Sequence, residues 1–282
     1  MSVCKKEKKL REAFADARKK GEMFFGSGEL LLEKLIEAPH HVEVQILADG
    51  FGNTLHLYDR ECSVQRRNQK IVEEAPSPFI TPETRAALCN AAVRAAEAVG
   101  YVNAGTVEMI VDGDQNFYFL EMNTRLQVEH PITELICGLD IVEWQLKIAA
   151  GEHLSLKQED IKPSGHAIEA RLCAEDPNKR FFPAPGTLET VMWPSGEGIR
   201  VDAGVEAGST ITPYYDSMFA KLCAHGATRE EAIKRLRAAL EDTQLEGTTT
   251  NLELHKRIMD DEVFQGGTYT TAYLKDVLGL KS

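Results

Sequence analysis

Near the middle of the chain five polar residues recur at every second position, Glu121, Asn123, Arg125, Gln127 and Glu129, while Met122, Leu126 and Val128 fall between them. Successive side chains of an extended chain point to opposite faces, so all five share one face. A strand packed on a core would carry apolar groups there. A row of carboxylates, amides and a guanidinium costs desolvation free energy unless it binds something. The segment is therefore expected to run extended along a ligand. His130-Pro131 follows it, and a proline biases the residue before it toward extended backbone.

The residues just upstream add a second constraint. Strands are expected near 105–112 and 117–122. With a four-residue loop over 113–116, Asp112 faces Phe117 and, counting back, Glu108 faces Glu121. Cross-strand partners have Cβ atoms roughly 5 Å apart, and like charges there repel unless a cation lies between them. A hard divalent ion such as Mg²⁺ suits one or two carboxylates plus phosphate oxygens. A solvated acidic pair on an edge hairpin is the other reading of these two glutamates.

Around this core of polar residues the chain reads as α+β. A surface helix is expected over residues 6–20, from Leu10/Phe14 and Ala13/Ala17 in a charged segment. Val42, Val44 and Ile46 alternate with Glu43 and Gln45, and Asp49-Gly50 turns the chain into a strand carrying Leu55 and Leu57. Thr81-Pro82 opens a helix with an apolar stripe of Leu88, Ala91, Ala92, Ala95 and Val99. A helix is expected from about Asp140 to Gly151. Beyond residue 162 short alternating runs and Pro/Gly turns precede a helix opened by the capping box Thr228-Arg-Glu-Glu231, which places a domain boundary near 160.

Composition narrows the function classes. A net charge of −12 opposes nonspecific nucleic-acid binding. No run approaches the ~18 apolar residues of a membrane span, and the start has no apolar signal core, so the cytosol is expected. Six cysteines without CxxC spacing read as reduced thiols rather than a disulfide framework or zinc site. Arg66, Arg67 and Lys70 in an acidic chain suggest an anion site, or else an ordinary charged loop. Glu33-Lys34 beside the apolar Leu30-Leu31-Leu32 suggests a buried lysine with a phosphate or carboxylate partner, whereas His41 alone reads as a structural histidine.

Taken together, several stretches resemble the biotin carboxylase family. They are Leu32-Glu-Lys34, His41-Val-Glu-Val-Gln45, Arg60-Glu-Cys-Ser-Val-Gln-Arg-Arg-Asn-Gln-Lys70, Glu73-Glu-Ala-Pro76, Phe119-Leu-Glu-Met-Asn-Thr-Arg-Leu-Gln-Val-Glu-His-Pro131, Glu169-Ala-Arg171, Ala174-Glu-Asp-Pro177 and Pro213-Tyr-Tyr-Asp-Ser217. The resemblance implies a remnant of an ATP-grasp lid over residues 1–36, an ATP-grasp catalytic subdomain over 37–160 and a biotin carboxylase C-terminal domain over 161–282. It implies that ATP passes its γ-phosphoryl group to bicarbonate, and that the resulting carboxyphosphate supplies CO₂ to biotin.

Residue by residue, the resemblance implies Mg²⁺ (or Mn²⁺) on Glu108 and Glu121 with Asn123 close by. Bicarbonate would lie on Arg125, Gln127 and the Val128 backbone, with Glu129 as its base. Lys70 would sit between bicarbonate and phosphate, and Arg171, from the C-terminal domain, would stabilise the biotin enolate. Adenine and ribose would use Glu33, Lys34, Leu35 and His41, with Gln65 and Asn68 among the ATP-binding residues. Asn68 stands where many members have histidine, and the Arg-Arg-Asn-Gln form is nearer propionyl-CoA carboxylase alpha subunits. Biotin would arrive on a separate carrier domain or protein, since no Met-Lys-Met attachment site is present. A carboxyltransferase subunit and a homodimer are the other expected partners, with no nucleic acid or membrane, in the cytoplasm or, in a eukaryote, the mitochondrial matrix. Family members open with a dinucleotide-fold domain and a lid loop reading roughly G-G-G-G-K-G-M, whose final methionine matches Met1. The expected lid is therefore incomplete, and poor turnover, or a purely nucleotide-binding or subunit-binding module, is the alternative to a working ligase.

Overall fold

The computed structural model describes residues 2–280 and separates into two compact units, Met1–Glu37 and Ala38–Ser282. The first holds α1 (Glu7–Phe25), six residues into the chain and five longer than expected at its C-terminal end. Gly26 closes it with φ 70°, a left-handed conformation that glycine adopts without a Cβ penalty. Arg11–Glu7 and Lys20–Asp16 pair one turn apart on its surface. Leu10 and Phe14 line a hollow with Leu32. Glu33, Lys34 and Leu35 lie in irregular chain and are exposed, which corrects the reading of Lys34 as buried: the neighbouring leucines do not pack into a core, and Leu31 is 84% exposed.

The second unit is built on one eight-stranded sheet. Its strands are β1 (His40–Ala48), β2 (Thr54–Arg66), β3 (Gln69–Ala75), β4 (Asn103–Val111), β5 (Phe117–Asn123), β6 (His166–Cys173), β7 (Ile199–Ala203) and β8 (Met218–Gly226). Their spatial order is β7-β8-β6-β3-β2-β1-β4-β5, and every neighbouring pair is antiparallel. The sheet runs through residue 160 without a break, because β6 bonds directly to β3. The expected division near 160 is therefore no gap between packed bodies.

The helices divide the sheet's faces. Val42, Val44 and Ile46 of β1 pack under α2 (Pro82–Ala98) together with Val107, Met109 and Val111 of β4. Thr81 caps α2 by accepting from the Thr84 amide at 3.2 Å. The buried stripe of α2 is Thr84, Leu88, Cys89, Ala92 and Ala96; Val99, expected in it, is the C-terminal cap and 70% exposed, so the stripe is rotated toward Cys89 and Ala96. Removing the cap in Thr81→Ala is expected to cost about 1 kcal/mol, read as a lower urea midpoint with unchanged m-value. Farther along the sheet, α5 (Arg229–Asp242) and α6 (Leu252–Met259) cover Val72, Ile168, Ala170, Leu172, Leu222 and Ala224.

Alternation on β1 leaves Glu43 and Gln45 on the opposite face. That face is not solvated, for all nine residues of β1 are buried. Two helices cover it: α3 (His130–Cys137), which the sequence pattern did not show, and α4 (Ile141–Ala149), which falls within the helix expected from about Asp140 to Gly151. Trp144 and Ile148 of α4 pack on Leu55 and Leu57, while α3 lies over β2, β3, β6 and β8. A charged sheet face sealed beneath the start of α3 results, and its charges must pair with one another.

Candidate active site

The register between β4 and β5 sets the first part of the site. Val111 pairs with Phe117 and Met109 with Phe119, one residue away from the expected ladder. Asp112 stays out of the ladder because its carboxylate accepts the amides of Asp114 and Asn116 and closes the loop. A bulge that leaves Leu120 unpaired then brings Glu108 opposite Glu121, the expected pair. The Asn123 amide spans them, at 3.1 Å from Glu108 and 3.4 Å from Glu121. Two carboxylates on one face with an amide between them form an all-oxygen donor set once that amide turns its oxygen inward, which fits Mg²⁺ or Mn²⁺.

Beyond Asn123 the extended row ends. Strand β5 stops there, Val128 and Glu129 lie in a turn, and His130 is already helical with Pro131 in the first turn of α3. Proline is well tolerated at that position, having no amide hydrogen to leave unpaired. The five residues thus do not share one strand face. Gln127 and Glu129 are buried, whereas Arg125 is exposed and among the described residues its guanidinium donates only to the Leu126 carbonyl, 3.3 Å away.

The fold instead gathers charges from β1, β2, β3, β4 and the turn before α3 around Lys70. Its Nζ lies 2.5 Å from Glu43, 3.0 Å from Glu108 and 2.5 Å from Glu129. Burial alone would lower the lysine's pKa, but Glu43 and its fellow carboxylates raise it, so it stays charged. Behind it Arg60 is wholly buried and donates to Glu43 (2.6 Å), Gln45 (2.7 Å), Thr133 (3.0 Å), Thr106 (3.2 Å) and Gln127 (2.9 Å). Gln127 passes the chain of bonds on to Glu108 at 2.7 Å, so both ends of its amide are engaged. His41 donates from Nε2 to Glu108 at 2.9 Å, with Gln65 on its other nitrogen at 3.3 Å; it is tied to the carboxylate pair. His41, Glu43 and Glu108 offer ligand atoms near one another, but Lys70 already supplies the positive charge among them.

Glu129 joins this cluster to a third group. One of its oxygens meets Lys70 and the other meets Arg171 Nη2 at 2.8 Å. Arg171, on β6, also donates from Nε to Glu73 of β3 at 2.6 Å, so β3 and β6 hold it by sheet pairing rather than by a loop. The Val128 carbonyl is fixed by Lys221 of β8 at 2.8 Å. Asn68 lies elsewhere, exposed at the tip of the β2–β3 hairpin. It and Arg67 have φ of 68° and 48°, the two-residue turn in which asparagine is favoured, so its identity has a backbone reason.

Sequence reading missed Glu43, Arg60 and Glu73 as parts of the site. Glu43 looked like the wet side of an alternating strand, and the only signal against that was an arginine, Arg60, amid a run of strand-forming residues. Burial pushes the Glu43 carboxyl up, but Arg60 and Lys70 outweigh it and hold the value at about 2, against an ordinary 4.5. A depressed acid contributes stability above its unfolded pKa and loses it as pH falls through the folded one. The stability difference between the wild type and Glu43→Gln is therefore expected to shrink as pH falls from about 4.5 to about 2, read from urea midpoints at each pH.

Comparison with known proteins gives this arrangement its relatives. Residues 1–157 match the family described as carbamoyl-phosphate synthase L chain, ATP binding domain, and residues 169–276 match the biotin carboxylase C-terminal domain. Biotin carboxylase 2 of Bacillus subtilis is 52% identical over 278 residues, covering 99% of this chain and 62% of that protein. The propionyl-CoA carboxylase alpha chain of Ruegeria pomeroyi is 47% identical over 296 residues, covering 98% of this chain and 44% of that protein. The chain thus spans about 62% of the length of the biotin carboxylases it matches, and identity does not favour the propionyl-CoA type. Among solved structures, the biotin carboxylase domain of a thermophilic 2-oxoglutarate carboxylase bound to bicarbonate superposes with a TM-score of 0.95 at 48% identity, over 99% of this chain and 63% of that one. The Hydrogenobacter thermophilus domain dimer with MgADP, ADP and bicarbonate gives 0.93 at 48% identity, over 99% and 62%. With an ATP-grasp segment followed by the C-terminal domain, and with the same backbone as these proteins, the chain belongs to the biotin carboxylase family.

Proposed function

We propose that this chain performs the ATP- and bicarbonate-dependent carboxylation of biotin presented on a separate carrier domain. The observation that carries the reading is Glu129, a buried carboxylate whose two oxygens are held by two different cations, Lys70 at 2.5 Å and Arg171 at 2.8 Å, beside the Glu108–Glu121 pair. A base needs a fixed place and a neighbouring anion needs positive charge, and this geometry supplies both.

In this reading Glu108, Glu121 and Asn123 hold Mg²⁺, which when bound neutralises phosphate oxygens. Lys70 then turns from Glu108 toward the phosphate and bicarbonate, and its attachment to three carboxylates keeps it charged until anions arrive. Arg125, exposed and uncommitted apart from one backbone carbonyl, turns inward to bicarbonate with Gln127 and the Val128 amide. Glu129 takes the bicarbonate proton. Arg171, a guanidinium that does not titrate near neutral pH, faces the biotin enolate. His41 and Gln65, joined to Glu108, belong to the proposed ATP site. The carrier, a carboxyltransferase subunit and a second copy of the full-length protein are the proposed partners; relatives named as an alpha chain and as a small subunit, and a domain dimer, support this.

The test is ATP cleavage with Mg²⁺ and bicarbonate, with and without free biotin, on this chain and on one extended to the relatives' full length. Stimulation by biotin in either is expected. Nucleotide binding in both with no biotin-dependent cleavage in either would favour the binding-module reading.

A further inference from the structure

Beneath the Glu129–Arg171 pair lie two more acids for which the reaction has assigned no work. Glu73 of β3 and Glu169 of β6 are direct cross-strand partners, both fully buried. Directly opposed residues have Cβ atoms about 5 Å apart and point to the same face. Glu73 Oε2 and Glu169 Oε1 are each buried without a donor among the described residues. Two opposed carboxylates sealed from water would repel, so one must carry a proton unless cations divide them.

The surroundings show which one. Glu73 Oε1 accepts the Arg171 guanidinium at 2.6 Å, while among the described residues Glu169 Oε2 meets only the Cys223 thiol at 3.4 Å. Lys221, two residues along β8 from Glu169's partner Cys223, is turned to the Val128 carbonyl at 2.8 Å and Asp202 at 3.3 Å. Glu129, Lys70 and Cys62 also act on Glu73 or feel its charge, and Lys70 is committed to three other carboxylates. We propose that Glu169 is a neutral carboxylic acid whose O–H donates to Glu73 Oε2, and that the ionised Glu73 is a positioning residue that fixes Arg171 against Glu129. Burial pushes both acids up, Glu169 well above the carboxylate range, while at Glu73 the Arg171 guanidinium opposes the rise. The position given to Arg171 matters for catalysis only under the carboxylase reading; the place of the proton does not depend on it.

Both parts are tested on this chain without substrate, so the result is separate from any carboxylation assay. Infrared spectra in H₂O and D₂O at pH 7 are expected to show a protonated-carboxyl C=O stretch that shifts on deuteration, disappears in Glu169→Gln and survives in Glu73→Gln. Should the amide fail to fold, Glu169→Asp makes the same assignment by moving the band. Labelling by phenylglyoxal, followed at the Arg171 peptide by mass spectrometry, is expected to quicken about tenfold or more in Glu73→Gln, the factor that corresponds to one lost charge-assisted hydrogen bond. In Glu169→Gln, whose amide still donates to Glu73, the rate is unchanged. A wild type with no such band, or a band indifferent to Glu169, overturns the proton's location. Unchanged labelling in folded Glu73→Gln overturns the positioning role.

Discussion

Glu129→Gln is expected to lower biotin-dependent ATP cleavage by about 10²–10⁴-fold, the usual contribution of a positioned base, with the ATP dissociation constant unchanged. The amide keeps the shape of the side chain and can still accept from Lys70 or Arg171 through its oxygen, so the charged pocket remains closed. What it loses is the ability to take a proton. The assay is kcat on a chain of the relatives' full length, paired with nucleotide binding by calorimetry. An unchanged kcat removes Glu129 from the chemistry, and weakened ATP binding reassigns it as a nucleotide contact.

Arg60→Met is expected to destabilise the fold by about 3–5 kcal/mol, the cost of leaving a buried charge without its partner. Arg60 touches no candidate substrate position, yet it donates to Glu43, Gln45, Thr106, Gln127 and Thr133 from the bottom of the site. Methionine fills much of the same space but leaves the Glu43 carboxylate with Lys70 alone and several amide and hydroxyl oxygens without a donor. Urea denaturation measures the loss. The double substitution with Glu43→Met removes both charges, and so is expected to recover a large part of it; additive losses would show that the two side chains are not coupled.

How far the residues alone carried this account differs from place to place. The Glu108–Glu121 pairing was expected, but for a reason that was only half right. The ladder starts one residue off because Asp112 closes the loop, and the bulge at Leu120 restores the pair. Periodicity cannot show a bulge, since the inserted residue looks like any other strand residue. The polar row does not form one strand: His130-Pro131 opens α3, and a proline early in a helix and a proline after an extended residue look alike in sequence. Glu43 and Arg60 were hidden for a third reason. Alternation tells which side of β1 a residue faces, and it does not tell whether that side is wet. Only the placement of α3 over the sheet, a tertiary fact, turns an ordinary amphipathic pattern into a buried ion network.

Under the proposed function, the cluster around Lys70, Glu129 and Arg171 serves the transfer of a carboxyl group from bicarbonate to biotin. Isotopically labelled bicarbonate with ATP, Mg²⁺ and free biotin tests it most directly, on this chain and on one of the relatives' full length. Label is expected in carboxybiotin in step with ADP, in at least the longer chain, and is expected to be lost in Glu129→Gln. ADP formed without label in biotin, whether or not biotin is present, would contradict it.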